Sequence, residues 1–307
     1  MERSTLAAGP GIGVEIVVVR GTSHGPTLSL LGGIHGDEPE GSLAIQVLLA
    51  GIVSKDLRGT VRAVPVCNAA AAQAETRLSP LDGLNLAREF PGIPEGLPSQ
   101  KLAHVLTERA IAGTDMLVDL HSAGRDYVMP FFAGYEANRP WSNISARAAR
   151  EFGAHLVWEH GSVAPGRTIS AASTLGLPSI YVEASGGGSM SGSTIDALII
   201  GVRRVMAGMG MIEPVGAAAA PSGLLRGGDG NVDESLRCAE AGLCVSWVMA
   251  GDVVKAEQLI AEIYVGGVVA EEVRAPVAGT VMMLRRKPRV EGGEAIAMLG
   301  PTPSAAR

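Results

Sequence analysis

The chain has 307 residues, a length at which a single core gives way to one large domain and a smaller one. Asp and Glu outnumber Lys and Arg by 31 to 25, a formal net charge of −6. That balance argues against a nucleic-acid or anionic-membrane partner, because phosphates are held by clustered basic side chains. No apolar run approaches the ~20 residues that span a bilayer, and Met1-Glu2-Arg3-Ser4-Thr5 does not begin a leader, so a soluble cytoplasmic protein is expected.

In chain order, β-branched runs predict strands at Val14–Arg20, Thr27–Leu31, Val61–Val66, Met116–Leu120, Leu156–Glu159 and Ser179–Glu183. Helix-period stretches predict helices at Glu40–Ile52, Ser99–Ala112, Ile144–Phe152 and Thr194–Met206. Such alternation gives an α/β sheet with helices on both faces, and ligands of such sheets gather beyond the carboxyl ends of the strands. Met129–Pro140 and Gly186–Ser193 are expected to be loops. Small residues and prolines from 214 to 223 suit a linker, which divides the chain into a catalytic domain at 1–213 and a C-terminal portion at 214–307. Beyond the linker, runs at Cys244–Met249, Gln258–Ile263, Gly267–Ala270, Gly279–Leu284 and Ala295–Leu299 predict a small all-β module.

Cys67, Cys238 and Cys244 are odd in number and lack C-x-x-C spacing, so they read as small core residues. The basic group Arg285-Arg286-Lys287 with Arg289 reads as a solvated turn. Gly186-Gly187-Gly188 lacks the Lys and Ser/Thr of a phosphate loop. His24, His104, His155 and His160 have no partners at ligand spacing and read as structural.

The chemistry concentrates at strand ends. Thr27–Leu31 runs into Gly32-Gly33-Ile34-His35-Gly36-Asp37-Glu38, which sets an imidazole and a carboxylate three residues apart, and Met116–Leu120 delivers His121 in the same way. Two strands thus bring three N/O ligands to one sheet edge, the donor set of a catalytic zinc site that keeps its fourth position open for water. Asp119, two residues before His121, shares its side of the strand and can fix its tautomer.

Beside Asn68, Thr76-Arg77, the stretch Leu81-Asp82-Gly83-Leu84-Asn85-Leu86-Ala87-Arg88-Glu89-Phe90-Pro91-Gly92, Asp119-Leu120-His121-Ser122 and Val182-Glu183, these motifs make the chain resemble the succinylglutamate desuccinylase/aspartoacylase family of zinc hydrolases, related to carboxypeptidases. The resemblance covers most of the first 190 residues in the family's order. It implies a mixed-sheet, zinc carboxypeptidase-like fold and one Zn²⁺ on His35, Glu38 and His121. It also implies Glu183 as the general base, Arg77 as the group that stabilises the oxyanion, and Arg88 as the clamp on a substrate carboxylate. The family usually has Asn where this chain has Ala87, and Asn85, two residues earlier, is the candidate to supply the missing substrate contact.

The reaction so implied is hydrolysis of the amide of a small N-acylated amino acid, with an acetylated one as first candidate. The alternatives are a carboxypeptidase acting on short peptides and a non-catalytic binding protein of the same fold. The module around Ala275-Pro276-Val277-Ala278-Gly279-Thr280-Val281 resembles a biotinyl/lipoyl half-barrel. A carrier needs a lysine on the exposed hairpin, which instead reads Glu262-Ile263-Tyr264-Val265-Gly266-Gly267. A role in shaping the pocket or a dimer or tetramer contact is expected instead, with Tyr264 open as a pocket residue.

Overall fold

A computed structural model describes residues 1–304. Ten strands lead the chain: β1 (Glu2–Gly9), β2 (Ile12–Arg20), β3 (Ser23–Gly32), β4 (Arg58–Val64), β5 (Met116–Ser122), β6 (Tyr127–Val128), β7 (Phe132–Glu136), β8 (Leu156–His160), β9 (Ser179–Ala184) and β10 (Gly223–Arg226). All but β6 form one nine-stranded sheet in the order β1-β2-β4-β3-β5-β9-β7-β8-β10. Its centre, β4-β3-β5-β9, is parallel, while β1, β2 and β7 introduce antiparallel pairings. The expected mixed α/β sheet is therefore what the chain forms.

Six α-helices accompany the sheet: α1 (Pro39–Gly51), α2 (Ala69–Ala74), α3 (Pro98–Leu106), α4 (Ser142–Phe152), α5 (Thr168–Thr174) and α6 (Gly192–Gly208). The period-two alternation of strands assigns each strand residue to a face. Leu28, Leu30, Met116, Val118, Leu120, Ile180 and Val182 pack with α1, α4 and α6. Leu31 and Leu117 face the other way, toward α3 and α5. Asp119 and His121 continue the Leu117 series, and Tyr181 and Glu183 alternate with Ile180 and Val182, so all four side chains emerge on the α5 face.

Several local expectations change. Met129–Pro140, expected as a loop, holds β7, buried along its whole length and antiparallel to β9. Gly134 permits this, because a Cβ there would lie 2.1 Å from the Tyr181 ring that crosses it. The helix expected over Ser99–Ala112 is α-helical only to Leu106 and continues as a wider π-turn over Thr107–Ile111. Residues 213–222 carry neither helix nor strand, where a linker was expected, yet β10 beyond them pairs in parallel with β8 and completes the large sheet.

The remaining strands are β11 (Leu236–Arg237), β12 (Gly242–Ser246), β13 (Val253–Val254), β14 (Leu259–Val265), β15 (Val268–Arg274), β16 (Gly279–Arg285), β17 (Arg289–Val290) and β18 (Ala295–Gly300). They form two antiparallel sheets around a core that includes Ile260, Ile263, Val281 and Ile296. β6 pairs with β16, and Met282, Met283 and Met298 pack with Phe132, Leu156 and Trp158, so this module is fastened to the large sheet. Arg285, expected in a solvated turn, is instead buried in β16. It donates to the Tyr127 hydroxyl and pairs with Glu294 at 3.0 Å, while Arg286, Lys287 and Arg289 are exposed as expected. Gly266 and Gly267, both at positive φ, form the tip of the β14–β15 hairpin. All three cysteines are free, with Cys67 and Cys238 buried and Cys244 partly so. Among the described residues no helix is long and apolar enough to cross a membrane.

Candidate metal centre and active-site cleft

Three neighbouring parallel strands supply the site. β3 ends at Gly32, and the turn beyond it carries His35 and Glu38, while His121 lies near the end of β5 and Glu183 near the end of β9. Gly32 is in register with Leu120, and His121 with Glu183, so all these groups reach the same edge. The turn after β3 fits only because Gly36 has no side chain: a Cβ there would lie 2.0 Å from the Ala71 carbonyl in α2. Asn68 caps α2 by accepting from the Ala71 amide, and the helix ends at Glu75 in the left-handed region, from which the chain turns to present Arg77.

His35, Glu38 and His121 are buried, and one ligand atom of each lies within 4.8 Å of the others. Nδ1 of His35 is 2.7 Å from Glu38 Oε1, and Nδ1 of His121 is 2.9 Å from Glu38 Oε2. Both Nε2 atoms point outward to acceptors: His35 Nε2 donates to Asn85 Oδ1 at 3.0 Å, and His121 Nε2 donates to Asp119 Oδ2 at 3.0 Å. Asp119 Oδ2 also accepts from the Thr168 hydroxyl at the start of α5. Since an amide oxygen only accepts, the His35 tautomer is fixed with the proton on Nε2, which leaves the Nδ1 lone pair facing inward. The His35 lone pair, the Glu38 carboxylate and a His121 Nδ1 that gives up its proton to a metal, all oriented from behind, fit a zinc ion's demand for N/O donors with supported histidines.

The electrostatics agree. Burial alone would raise the Glu38 carboxyl, but His35 and His121 hold it well below the usual carboxylate range. Burial would lower His121, yet Asp119 and Glu38 raise it well above the ordinary imidazole value. His35 is lowered by burial and by Arg77. Glu38 and His121 therefore hold a proton tightly between them, at the place where a dication would compete for the same electron pairs.

Arg77 Nη1 donates to Glu38 Oε1 at 2.9 Å and approaches His35 Nδ1 at 3.3 Å. Its side chain is 39% exposed, so repulsion from a dication has room to move the guanidinium into the cleft. Burial pushes the Glu183 carboxyl up to about 8, with Glu38 adding to the shift and His121 and Arg77 opposing it. Glu183 Oε2 is buried without a hydrogen-bond partner. A carboxylate poised near neutral pH with an open acceptor suits proton transfer.

A cleft opens onto this cluster, lined by Arg88, Arg167, Tyr181, Glu183 and Asp229 among others. Arg88, expected to clamp a carboxylate, lines it and also donates through Nε to Asp233 at 3.1 Å. The Arg88 guanidinium outweighs burial and holds the Asp233 carboxyl below its ordinary value. Asn85, expected at the substrate, turns its Oδ1 behind His35 and to the Ala87 amide, while Ala87 itself reaches the cleft. Tyr264 is directed elsewhere, its hydroxyl donating to Glu262 at 2.8 Å.

Three further charged or aromatic residues of the cleft lie outside the sequence motifs. Arg167, before α5, donates through Nη2 to Asn231, and its Nη1 is buried with no partner. Tyr181 alternates with Glu183 along β9 and so shares its face, a signal that was available from the period-two rule. Asp229 comes from beyond the linker and carried no signal of its own.

The Succinylglutamate desuccinylase/Aspartoacylase catalytic domain profile matches residues 24–209. The N-alpha-acetyl-L-2,4-diaminobutyric acid deacetylase of Halomonas elongata is 32% identical over 290 residues, 92% of this chain and 84% of that protein. Among solved structures, a succinylglutamate desuccinylase from Silicibacter sp. TM1040 superposes with a TM-score of 0.86 at 27% identity, over 95% of this chain and 89% of that one. The product-bound ectoine utilization protein EutE (DoeB) from Ruegeria pomeroyi also gives a TM-score of 0.86 at 27% identity, over 95% of this chain and 90% of that one. The chain belongs to the succinylglutamate desuccinylase/aspartoacylase family.

Proposed function

We propose that this protein is a zinc-dependent amidohydrolase that removes the acyl group from a small N-acylated amino acid, releasing a carboxylate and an amine. One observation carries the reading: His35 and His121 turn their Nδ1 atoms onto the two oxygens of Glu38, while Asn85 and Asp119 hold their outer nitrogens. The relative from Halomonas elongata, a deacetylase of an acetylated diamino acid, supports the substrate class.

A zinc ion bound by His35, Glu38 and His121 would supply a Lewis acid and lower the pKa of an attacking water. Glu183 takes a proton from that water through its open oxygen and returns it to the departing nitrogen as the carbon–nitrogen bond breaks. Arg77, whose exposed guanidinium can swing from Glu38 into the cleft, sets a positive charge where the carbonyl oxygen gains negative charge. Arg88 and Arg167 hold the substrate carboxylate, a task suited to the planar guanidinium fork. The unpartnered Arg167 Nη1 is the donor that such a carboxylate would satisfy.

The test is amine release from a panel of N-acetyl amino acids by metal-loaded protein, with zinc content measured alongside. The reading expects roughly one zinc per chain and loss of turnover on chelation. Cleavage of unblocked dipeptides with no action on N-acyl amino acids would replace it with the peptidase reading.

A further inference from the structure

Asp229 and Gly230, from beyond the linker, line the cleft that Arg167 also lines. β10 ends at Arg226, and Gly227-Gly228-Asp229-Gly230 crosses toward the active site. This loop is held from beneath by two aromatic residues of β8. Trp158 Nε1 donates to the Gly227 carbonyl at 2.8 Å, and His160 Nδ1 donates to the Gly228 carbonyl at 3.2 Å. With Nδ1 protonated, His160 Nε2 accepts from the Tyr181 hydroxyl at 2.7 Å, which joins the loop to the strand that carries Glu183. Gly230, at positive φ, turns the chain where a Cβ would lie 3.0 Å from the His160 ring.

Asp229 lines the cleft at the top of this support. Within the described residues its carboxylate has one hydrogen bond, from the Asn231 amide to Oδ1 at 2.9 Å, and no ion pair. Asp233, four residues on, is by contrast engaged by Arg88. A cleft already provided with Arg88 and Arg167 for a carboxylate thus also presents an uncommitted carboxylate held on a braced loop. That arrangement complements a zwitterion: an anionic group for the arginines and a cationic one for Asp229.

We propose that Asp229 selects N-acyl amino acids that carry a second, protonated amine, by pairing with the ammonium at the end of the substrate side chain. The proposal rests on the deacylase reading above and assigns a residue of this chain to the diamino substrate class that the Halomonas elongata relative suggests. The ammonium stays protonated and unreacted, and the only bond broken is the acyl amide at the metal centre. Asp229 is thus a specificity residue. If it served only to neutralise Arg167, whose charge it also faces, its loss would change every carboxylate-bearing substrate by the same factor.

The experiment compares kcat/KM for Nα-acetyl-2,4-diaminobutyrate and for N-acetylnorvaline, whose terminal methyl replaces the ammonium, in the wild type and in Asp229→Asn. The asparagine keeps an acceptor for the Asn231 amide and removes only the charge. The wild type is expected to prefer the diamino substrate, and the substitution to lower the ratio of the two values by about 10²-fold. A wild type without preference, or a ratio that stays constant while both values change together, would overturn the proposal. Calorimetric binding of the free products, 2,4-diaminobutyrate and norvaline, gives a second readout that needs no turnover. If the wild type hydrolyses neither substrate, the deacylase reading fails, and the binding arm still decides. Tighter binding of the diamine that is lost in Asp229→Asn upholds the pairing, and equal binding of both products defeats it.

Discussion

The metal-ligand cluster and the cleft wall opposite it use their polar atoms in different ways. At the cluster each ring nitrogen and both Glu38 oxygens have a partner, and the partners are one another or Asn85, Asp119 and Arg77. In the cleft beside it, Arg167 Nη1 and Glu183 Oε2 are buried without partners, and Asp229 forms no ion pair within the described residues. An unsatisfied buried donor or acceptor costs about 1–3 kcal/mol, a cost that a ligand in the cleft would offset for Arg167 and Glu183. On the proposed reading the first region is organised around one ion, while the second is left open for a substrate.

That contrast is broken most severely by removing a ligand. His121→Ala should reduce bound zinc from roughly one equivalent to a small fraction and lower amine release by at least about 10³-fold, as read by elemental analysis beside the rate. Next comes Glu183→Gln, which should keep its zinc and lose about 10²-fold or more in kcat; a variant that lost its metal as well would place Glu183 in the cluster. Asn85→Ala separates the regions more finely. As the support of His35 it should weaken zinc affinity by about 10- to 100-fold with KM little changed at saturating metal. A raised KM with normal zinc affinity would return Asn85 to the substrate, where the sequence had put it.

The smallest effect concerns the braced wall. Burial lowers the His160 pKa to about 4, below its ordinary value of about 6.5. The unfolded chain therefore binds the extra proton first, and the stability held above pH 6.5 is lost as the pH falls toward 4. Between pH 7 and 4.5 His160 should account for about 2 kcal/mol of the loss. Urea unfolding of the wild type and His160→Gln at both pH values measures it, and equal pH dependence in the two proteins would contradict the assignment.

The two regions also differ in how far they could be read from the sequence. His35, Glu38 and His121 follow apolar runs that end at one sheet edge, and the period of two places Asp119 beside His121, so local pattern suffices. Asn85 shows where it stops: a loop residue's position in a motif does not reveal which way its side chain turns, and this one points behind His35. Arg167 and Asp229 lie in loops after β8 and β10 with no periodicity to mark them, and their meeting depends on β10 joining the large sheet from beyond an irregular segment. β7 was missed for a related reason, since Gly134 interrupts a strand signal whose justification, the Tyr181 ring, lies 47 positions away in the sequence.

On the proposed function, one ion at His35, Glu38 and His121 is required for deacylation. Zinc titrated into metal-free protein, with amine release from an N-acetyl amino acid followed at each addition, tests it directly. Activity should start near zero, climb in proportion to zinc and level off at about one equivalent per chain. Full turnover before any zinc is added, or a His121→Ala protein that follows the same curve, would contradict it.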